Sequence, residues 1–185
     1  MKLKASIVFL LGLLSFAACK EDTLPKPKAM LRLEYPKGAT GLLEVDRFQF
    51  QYNSLATIET KNKTALTLDY PMMKGAIFIT YKEVDGNLNE LLSDAQKLVY
   101  EHVVKADNIL PKEFINTENK VYGMFYQIEG DAASQSQFYV TDSIHHFVTG
   151  SLHFKAIPNY DSIYPAAKYL QKDIRQIMET LEWKN

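Results

Sequence analysis

Cysteine is almost missing from this chain: Cys19 is the one cysteine among 185 residues. A lone thiol excludes an internal disulfide framework and a thiolate zinc site. If Cys19 is itself modified, a cysteine nucleophile is excluded as well. An excess of one charge is also missing, with 21 Lys and Arg against 22 Asp and Glu and a formal net charge of −1. Nucleic-acid binding calls for a concentrated basic face, so the balance sets that partner aside. Beyond residue 18 no apolar run approaches the roughly 20 residues that a spanning helix needs. Glycine is sparse, and no phosphate loop is formed. Gly130-Asp131-Ala132-Ala133-Ser134 has neither the Walker spacing nor its lysine. The acidic spacing of a calcium loop, internal repeats and low-complexity blocks are absent too.

What is present begins at the N-terminus. Met1-Lys2-Leu3-Lys4 is a short basic start, and the 14 residues Ala5 to Ala18 carry no charge. That length suits the apolar core of a signal peptide and is too short to cross a bilayer. Phe16-Ala17-Ala18-Cys19 then places small residues just before the cysteine. The order resembles the bacterial lipobox, with Phe16 where Leu, Val or Ile is usual. An ordinary secretory signal and an uncleaved anchor are the competing readings. The short apolar run ending on a cysteine favours cleavage before Cys19, with a diacylglycerol on its sulfur and an acyl chain on its freed amine. Several acyl chains suffice for stable attachment. Removing residues 1–18 leaves 167 residues, one domain's worth, and shifts the formal charge to −3 because Lys2 and Lys4 are lost.

Residues 19–30 read as a lipidated tether. Lys20-Glu21-Asp22-Thr23-Leu24-Pro25-Lys26-Pro27-Lys28 is polar and holds two prolines, which favours an extended chain. Lys20, Glu21 and Asp22 also form a candidate signal for export to the cell surface; a solvated spacer is the plainer reading.

Residues 31–185 read as a single α+β domain. Period-two alternation predicts strands over 48–52, 56–60, 65–70, 75–81, 121–128, 136–141 and 147–154. Asn62 falls in a turn-like Lys-Asn-Lys, so 56–60 and 65–70 can form a hairpin. The short links after 128 and 141 predict antiparallel neighbours. Leu88, Leu91, Leu92, Ala95, Leu98, Val99, His102 and Ala106 form one helical stripe, with Asn87 as its cap and Glu90 in capping-box position. Ile163, Ala167, Leu170, Ile174, Ile177 and Leu181 form a second, capped by Asp161 or Ser162, with Pro165 in its first turn and Trp183 set to plug the core. The expectation is an antiparallel sheet of about six or seven strands packed with two long helices. An α/β/α sandwich, or both helices on one face, satisfies the pattern. The element order resembles the Mog1/PsbP-like fold, which says nothing alone about function.

Residues that carry chemistry are few. His145 and His146 are adjacent, and strand neighbours point to opposite faces. His146 and His153 are too far apart along one strand to share an ion, and His102 lies on an apolar stripe, where a packing role is the plain reading. Asp142, Ser143 and His145 spell a triad, but three residues of one tight turn cannot aim at one another, and no nucleophile elbow surrounds Ser143. No catalytic residue, metal site or cofactor is expected. The many tyrosines, among them Tyr35, Tyr52, Tyr122, Tyr160 and Tyr169, suit either an interface or the packing of sheet faces.

A resemblance enters through longer words. Pro25-Lys26-Pro27-Lys28-Ala29-Met30-Leu31-Arg32-Leu33-Glu34-Tyr35-Pro36, Val121-Tyr122-Gly123, Gln137-Phe138-Tyr139-Val140-Thr141-Asp142-Ser143, Pro158-Asn159-Tyr160-Asp161-Ser162 and Met178-Glu179-Thr180-Leu181-Glu182-Trp183-Lys184 are similar to the GldD family of gliding-motility lipoproteins in the Bacteroidota. The word His146-Phe147-Val148-Thr149-Gly150-Ser151-Leu152-His153-Phe154 resembles it too. Ala29-Met30 departs from the family's usual Gly-Tyr. The resemblance implies an envelope lipoprotein, in the outer membrane, needed for gliding motility and type IX protein secretion. It implies a non-enzymatic accessory or scaffold whose partners are other gliding and secretion proteins of the envelope. Of single residues it transfers only the lipidation position, Cys19. The alternative class is a small-molecule or substrate-binding lipoprotein with a pocket between sheet and helix.

Overall fold

Each alternating strand has two faces to cover, and two amphipathic helices divide that work. The computed structural model describes residues 33–156 and 159–184. The expected signal peptide, Cys19 and the Lys20, Glu21, Asp22 segment lie outside the described residues. The elements run β1 Thr40–Glu44, β2 Phe48–Asn53, β3 Thr57–Asn62, β4 Ala65–Tyr70, β5 Gly75–Glu83, α1 Leu88–Tyr100, β6 Ala106–Asn116, β7 Val121–Gly130, β8 Ser134–Thr141, β9 His146–Phe154, α2 Tyr160–Thr180 and β10 Glu182–Trp183.

Seven strands form one sheet in the order β3-β4-β5-β9-β8-β7-β6, antiparallel throughout. After β5 the chain crosses the sheet through α1 to the far edge, then meanders back until β9 lies beside β5. On the inner face, Leu68, Ile77, Ile79, Val140, Val148 and Leu152 are buried against Leu170, Ile174 and Ile177 of α2. On the outer face, Tyr126, Tyr139 and Phe147 pack on Leu91, Ala95 and Val99 of α1. The α/β/α arrangement is therefore realised with one helix per face. A small sheet, β1-β2-β10, adds Phe48 and Phe50 to the α2 side of the core.

The alternation located the large sheet well; the differences have local causes. Strand 48–52 is β2 and belongs to the small sheet, while β6 takes the seventh place in the large one. β6 contains Asp107, Asn108 and Pro111, which strands disfavour, but it is an edge strand, where a missing N–H is tolerated. The first helical stripe was expected to reach Ala106. The helix stops at Tyr100, a 3-10 turn covers Glu101–Val104, and Ala106 opens β6. Asn87 does not cap α1 with its side chain; its Oδ1 accepts the Asp85 N–H at 3.0 Å. Helix α2 starts before either expected cap. Asn159 Oδ1 accepts the Ser162 N–H at 3.3 Å, and Asp131 Oδ1 takes the Tyr160 N–H at 2.7 Å. Pro165 consequently lies inside the helix, past its first turn. Trp183 packs at the core's rim, stacked on His146 at 5.1 Å, with its Nε1–H donating to Lys120 O.

Candidate functional site

Three places in the fold carry side chains whose arrangement goes beyond packing. The first is where the expected tether meets the domain. Tyr35 packs edge-on against Tyr169 of α2, with ring centroids 5.6 Å apart, and Tyr169 Oη donates to Pro36 O at 2.8 Å. Asn53, at the end of β2, joins the cluster from below. Its Nδ2 donates to Tyr169 Oη at 2.9 Å and to Asp173 Oδ2 at 3.0 Å, while its Oδ1 accepts the Leu55 N–H. Gly38 is required here by close approach: a Cβ on it would collide with Asn53 Oδ1. Asp173 is buried, and burial lifts its carboxyl to about 6 against the pull of Asn53 and the nearby Tyr70 hydroxyl. Burial first, and then the Asp173 charge, push the Tyr70 hydroxyl upward. The incoming chain is thus held on α2 through Tyr169, which Asn53 links to the buried Asp173.

The second place is a groove on the outer face. Helix α1 is 13 residues long and covers only part of a seven-stranded sheet. Beside it lies a cavity of about 300 Å³, floored by Phe78, Thr80, Thr149, Ser151, Gln137 and Tyr139 and walled by Ala95, Leu98 and His102. The ring nitrogen His102 Nε2 lies 2.8 Å from Gln137 Nε2. An amide nitrogen only donates, so His102 Nε2 accepts and the ring proton sits on Nδ1. His153 Nε2 lies 3.1 Å from Ser151 Oγ, and its ring meets Phe78 edge-on at 5.5 Å. Burial lowers both imidazoles, against Glu101 for His102 and against a backbone hydrogen bond at Ala133 for His153. The end of α1 and the 3-10 turn after it carry an apolar lip. Leu98, Tyr100, Val103 and Val104 are all exposed, Val104 by 85%.

The third place is the Asp142 turn. Asp142 Oδ1 accepts the N–H groups of Ile144, His145 and His146 at 2.8–2.9 Å. Burial alone would raise this carboxyl, but those backbone donors outweigh it and hold it below its ordinary value. Ser143 has a left-handed φ of 69° and gives its N–H to Thr141 Oγ1. His145 is exposed, whereas His146 is buried, 2.9 Å from Tyr81 Oη through Nδ1 and lowered by burial. His145 Nδ1 lies 3.8 Å from Asp142 Oδ2, but the close hydrogen bonds of Asp142 go to backbone N–H groups, so these three residues build a turn. A wider depression of about 520 Å³ beside this turn is lined by Glu118, Asp142, His145 and Glu182.

Sequence reasoning placed His102 on a buried helical stripe; the structure puts it half-buried in the 3-10 turn, facing the groove. His153, which the sequence set apart from His146 along the same strand, shares that groove with His102. Thr80, Gln137, Thr149 and Ser151 were not singled out. Their signal was readable: Thr149, Ser151 and His153 recur at a spacing of two on the face opposite Val148 and Leu152. Among the described residues no group of three His, Cys, Asp or Glu could hold a metal ion, and no helix is long and apolar enough to cross a membrane. Four of the eleven tyrosines, Tyr70, Tyr81, Tyr126 and Tyr139, are buried packing groups.

The comparisons with known proteins agree with the sequence words. A family model described as gliding motility lipoprotein GldD matches residues 20–183. The match begins one residue after Cys19. No curated protein matches the chain.

Proposed function

The chain belongs to the gliding motility lipoprotein GldD family, and on that premise we propose that it is a non-enzymatic accessory of the gliding and type IX secretion apparatus, anchored by lipid on Cys19. Membership of a lipoprotein family implies a lipid-anchored envelope protein. The outer membrane is the proposed site, with Lys20, Glu21 and Asp22 as the candidate signal for its outward face. A stretch the length of residues 19–32 spans at most about 50 Å, which bounds how far the domain stands from the bilayer.

The observation that carries this reading is the pinned root of the tether. Tyr35, Pro36 and Gly38 are fixed to α2 through Tyr169, Asn53 and Asp173. The chain that leads to the anchor therefore joins the domain at one defined place beside α2. The exposed lip of Leu98, Tyr100, Val103 and Val104 supplies an apolar contact surface of the kind that marks protein interaction sites. Action without catalysis is supported by the work the candidate residues do instead. Asp142 caps a turn, Ser143 shapes it, and His146 stacks on Trp183.

Deleting the gene is expected to abolish spreading on surfaces and to retain type IX cargo inside the cell. Normal secretion in the deletion strain overturns the proposal. Trypsin treatment of intact cells decides the side: complete protection rules out surface exposure.

A further inference from the structure

The groove beside α1 stands apart from the secretion role, and its chemistry is unlike that of a merely uncovered sheet face. Strand register sets its floor in two rows. Phe78, Ser151 and Gln137 lie in line across β5, β9 and β8, and Thr80, Thr149 and Tyr139 lie in line beside them. Alternation sends all six side chains to the outer face. The space exists because Thr80, Thr149 and Ser151 are small where larger residues would fill it. The aromatic ring of Phe78 and the side chain of Leu98 leave apolar surface at the edges.

The polar part of the lining consists of groups that both give and take hydrogen bonds. Glu101 apart, they are the hydroxyls of Thr80, Thr149, Ser151, Tyr126 and Tyr139, the Gln137 amide, and the imidazoles of His102 and His153. The last two are matched to Gln137 and Ser151, and that pairing orients them. Burial keeps both rings below their ordinary value and so uncharged at neutral pH. None of the residues lining the groove is Lys or Arg, and Glu101 at the rim is its one carboxylate. Lys61 approaches from β3, but it stands over the Phe78 ring at 5.3 Å and does not line the space.

These features select among ligands. An anion would meet Glu101 and no lining cation. A wholly apolar ligand would cover the Thr80 and Thr149 hydroxyls and the remaining hydrogen-bonding capacity of Gln137 and Ser151 without replacing their water, which is costly. A compact ring with several hydroxyls and one apolar face satisfies both parts of the lining. We propose that the groove between α1 and strands β5, β9 and β8 binds a neutral sugar ring of a glycan, its hydroxyls on Gln137, Thr149 and Ser151 and its apolar face on Phe78. A cavity of about 300 Å³ lies at the small end of known ligand sites and suits one ring rather than a chain.

The test is saturation-transfer difference NMR on the mature chain, kept in a detergent without a sugar headgroup. The probes are glucose, galactose, mannose, rhamnose, fucose and N-acetylglucosamine, with glucuronate and cyclohexanol as charged and apolar competitors. At least one neutral sugar is expected to receive saturation, and Ser151→Leu and Thr149→Leu should each weaken the signal about tenfold. The ring C–H signals of His102 and His153 in the unsubstituted protein should shift with the same sugar. That readout holds even if a variant fails to fold. Transfer to none of the neutral sugars overturns the proposal. So does a sugar signal that leaves both histidine rings unmoved, or preferential binding of glucuronate or cyclohexanol.

Discussion

Asp173→Asn should make the protein more stable at neutral pH, although it removes a hydrogen-bonded charge. Asp173 is only 7% exposed and sits against Asn53 and Tyr70. Burial disfavours its ionised form and lifts the folded pKa from 3.8 to about 6. Between those values the folded state keeps a proton that the unfolded chain has lost. Stability from this residue is therefore full below about pH 4, falls as pH rises toward 6, and stays low above that. A separation of about two pH units corresponds to roughly 3 kcal/mol, and water reaching the open side of the tether root trims it to about 2 kcal/mol. Asparagine cannot ionise, yet it keeps an oxygen for the Asn53 Nδ2–H. Urea unfolding at a series of pH values from 4 to 8 reads the effect as a shift in midpoint. The two proteins differ at one residue, so the difference between variant and parent isolates position 173. Equal midpoints near pH 4 and a variant ahead by about 2 kcal/mol at pH 7.5 are expected. A difference that does not change with pH, or a variant less stable at pH 7.5, refutes the reasoning.

Three further outcomes follow from other parts of the molecule. Cys19→Ala should abolish labelling by radioactive palmitate and release the protein from the membrane fraction; continued labelling removes Cys19 as the acylated residue. Val103→Glu with Val104→Glu should leave the unfolding midpoint within about 0.5 kcal/mol of the parent, because both side chains are exposed, yet it should impair spreading on agar; unimpaired spreading removes the lip as a contact surface. Gly150→Ala should cost about 1–3 kcal/mol in urea unfolding, since its Cβ would collide with the Phe138 ring; an unchanged midpoint shows that the ring can yield.

Much of the fold was legible because two periods survive in the sequence. Ala167, Leu170, Ile174, Ile177 and Leu181 step at helical spacing, and all five are buried. Phe138 and Val140 alternate with Tyr139, and they do lie on opposite faces under different helices. What was lost had weak local signals. β6 pairs along its whole length with β7, and that long-range partner outweighs its Asp107, Asn108 and Pro111. The end of α1 was hidden because His102 and Ala106 keep the helical spacing, although His102 lies in the 3-10 turn and Ala106 opens β6. The groove was harder still. Its polar residues come from three strands and a turn, and only strand register brings Ser151 beside Gln137 and Phe78. The root of the tether likewise joins Pro36 to Tyr169 across 133 positions, a distance no local pattern encodes.

Crosslinking in native envelopes, followed by capture through a tagged copy of the chain, tests the proposed accessory role most directly. The role requires gliding and type IX secretion proteins of the envelope in the captured set, with their recovery reduced when Val103 and Val104 carry charges. Capture of none of these proteins, from cells whose spreading the tagged copy fully supports, contradicts it.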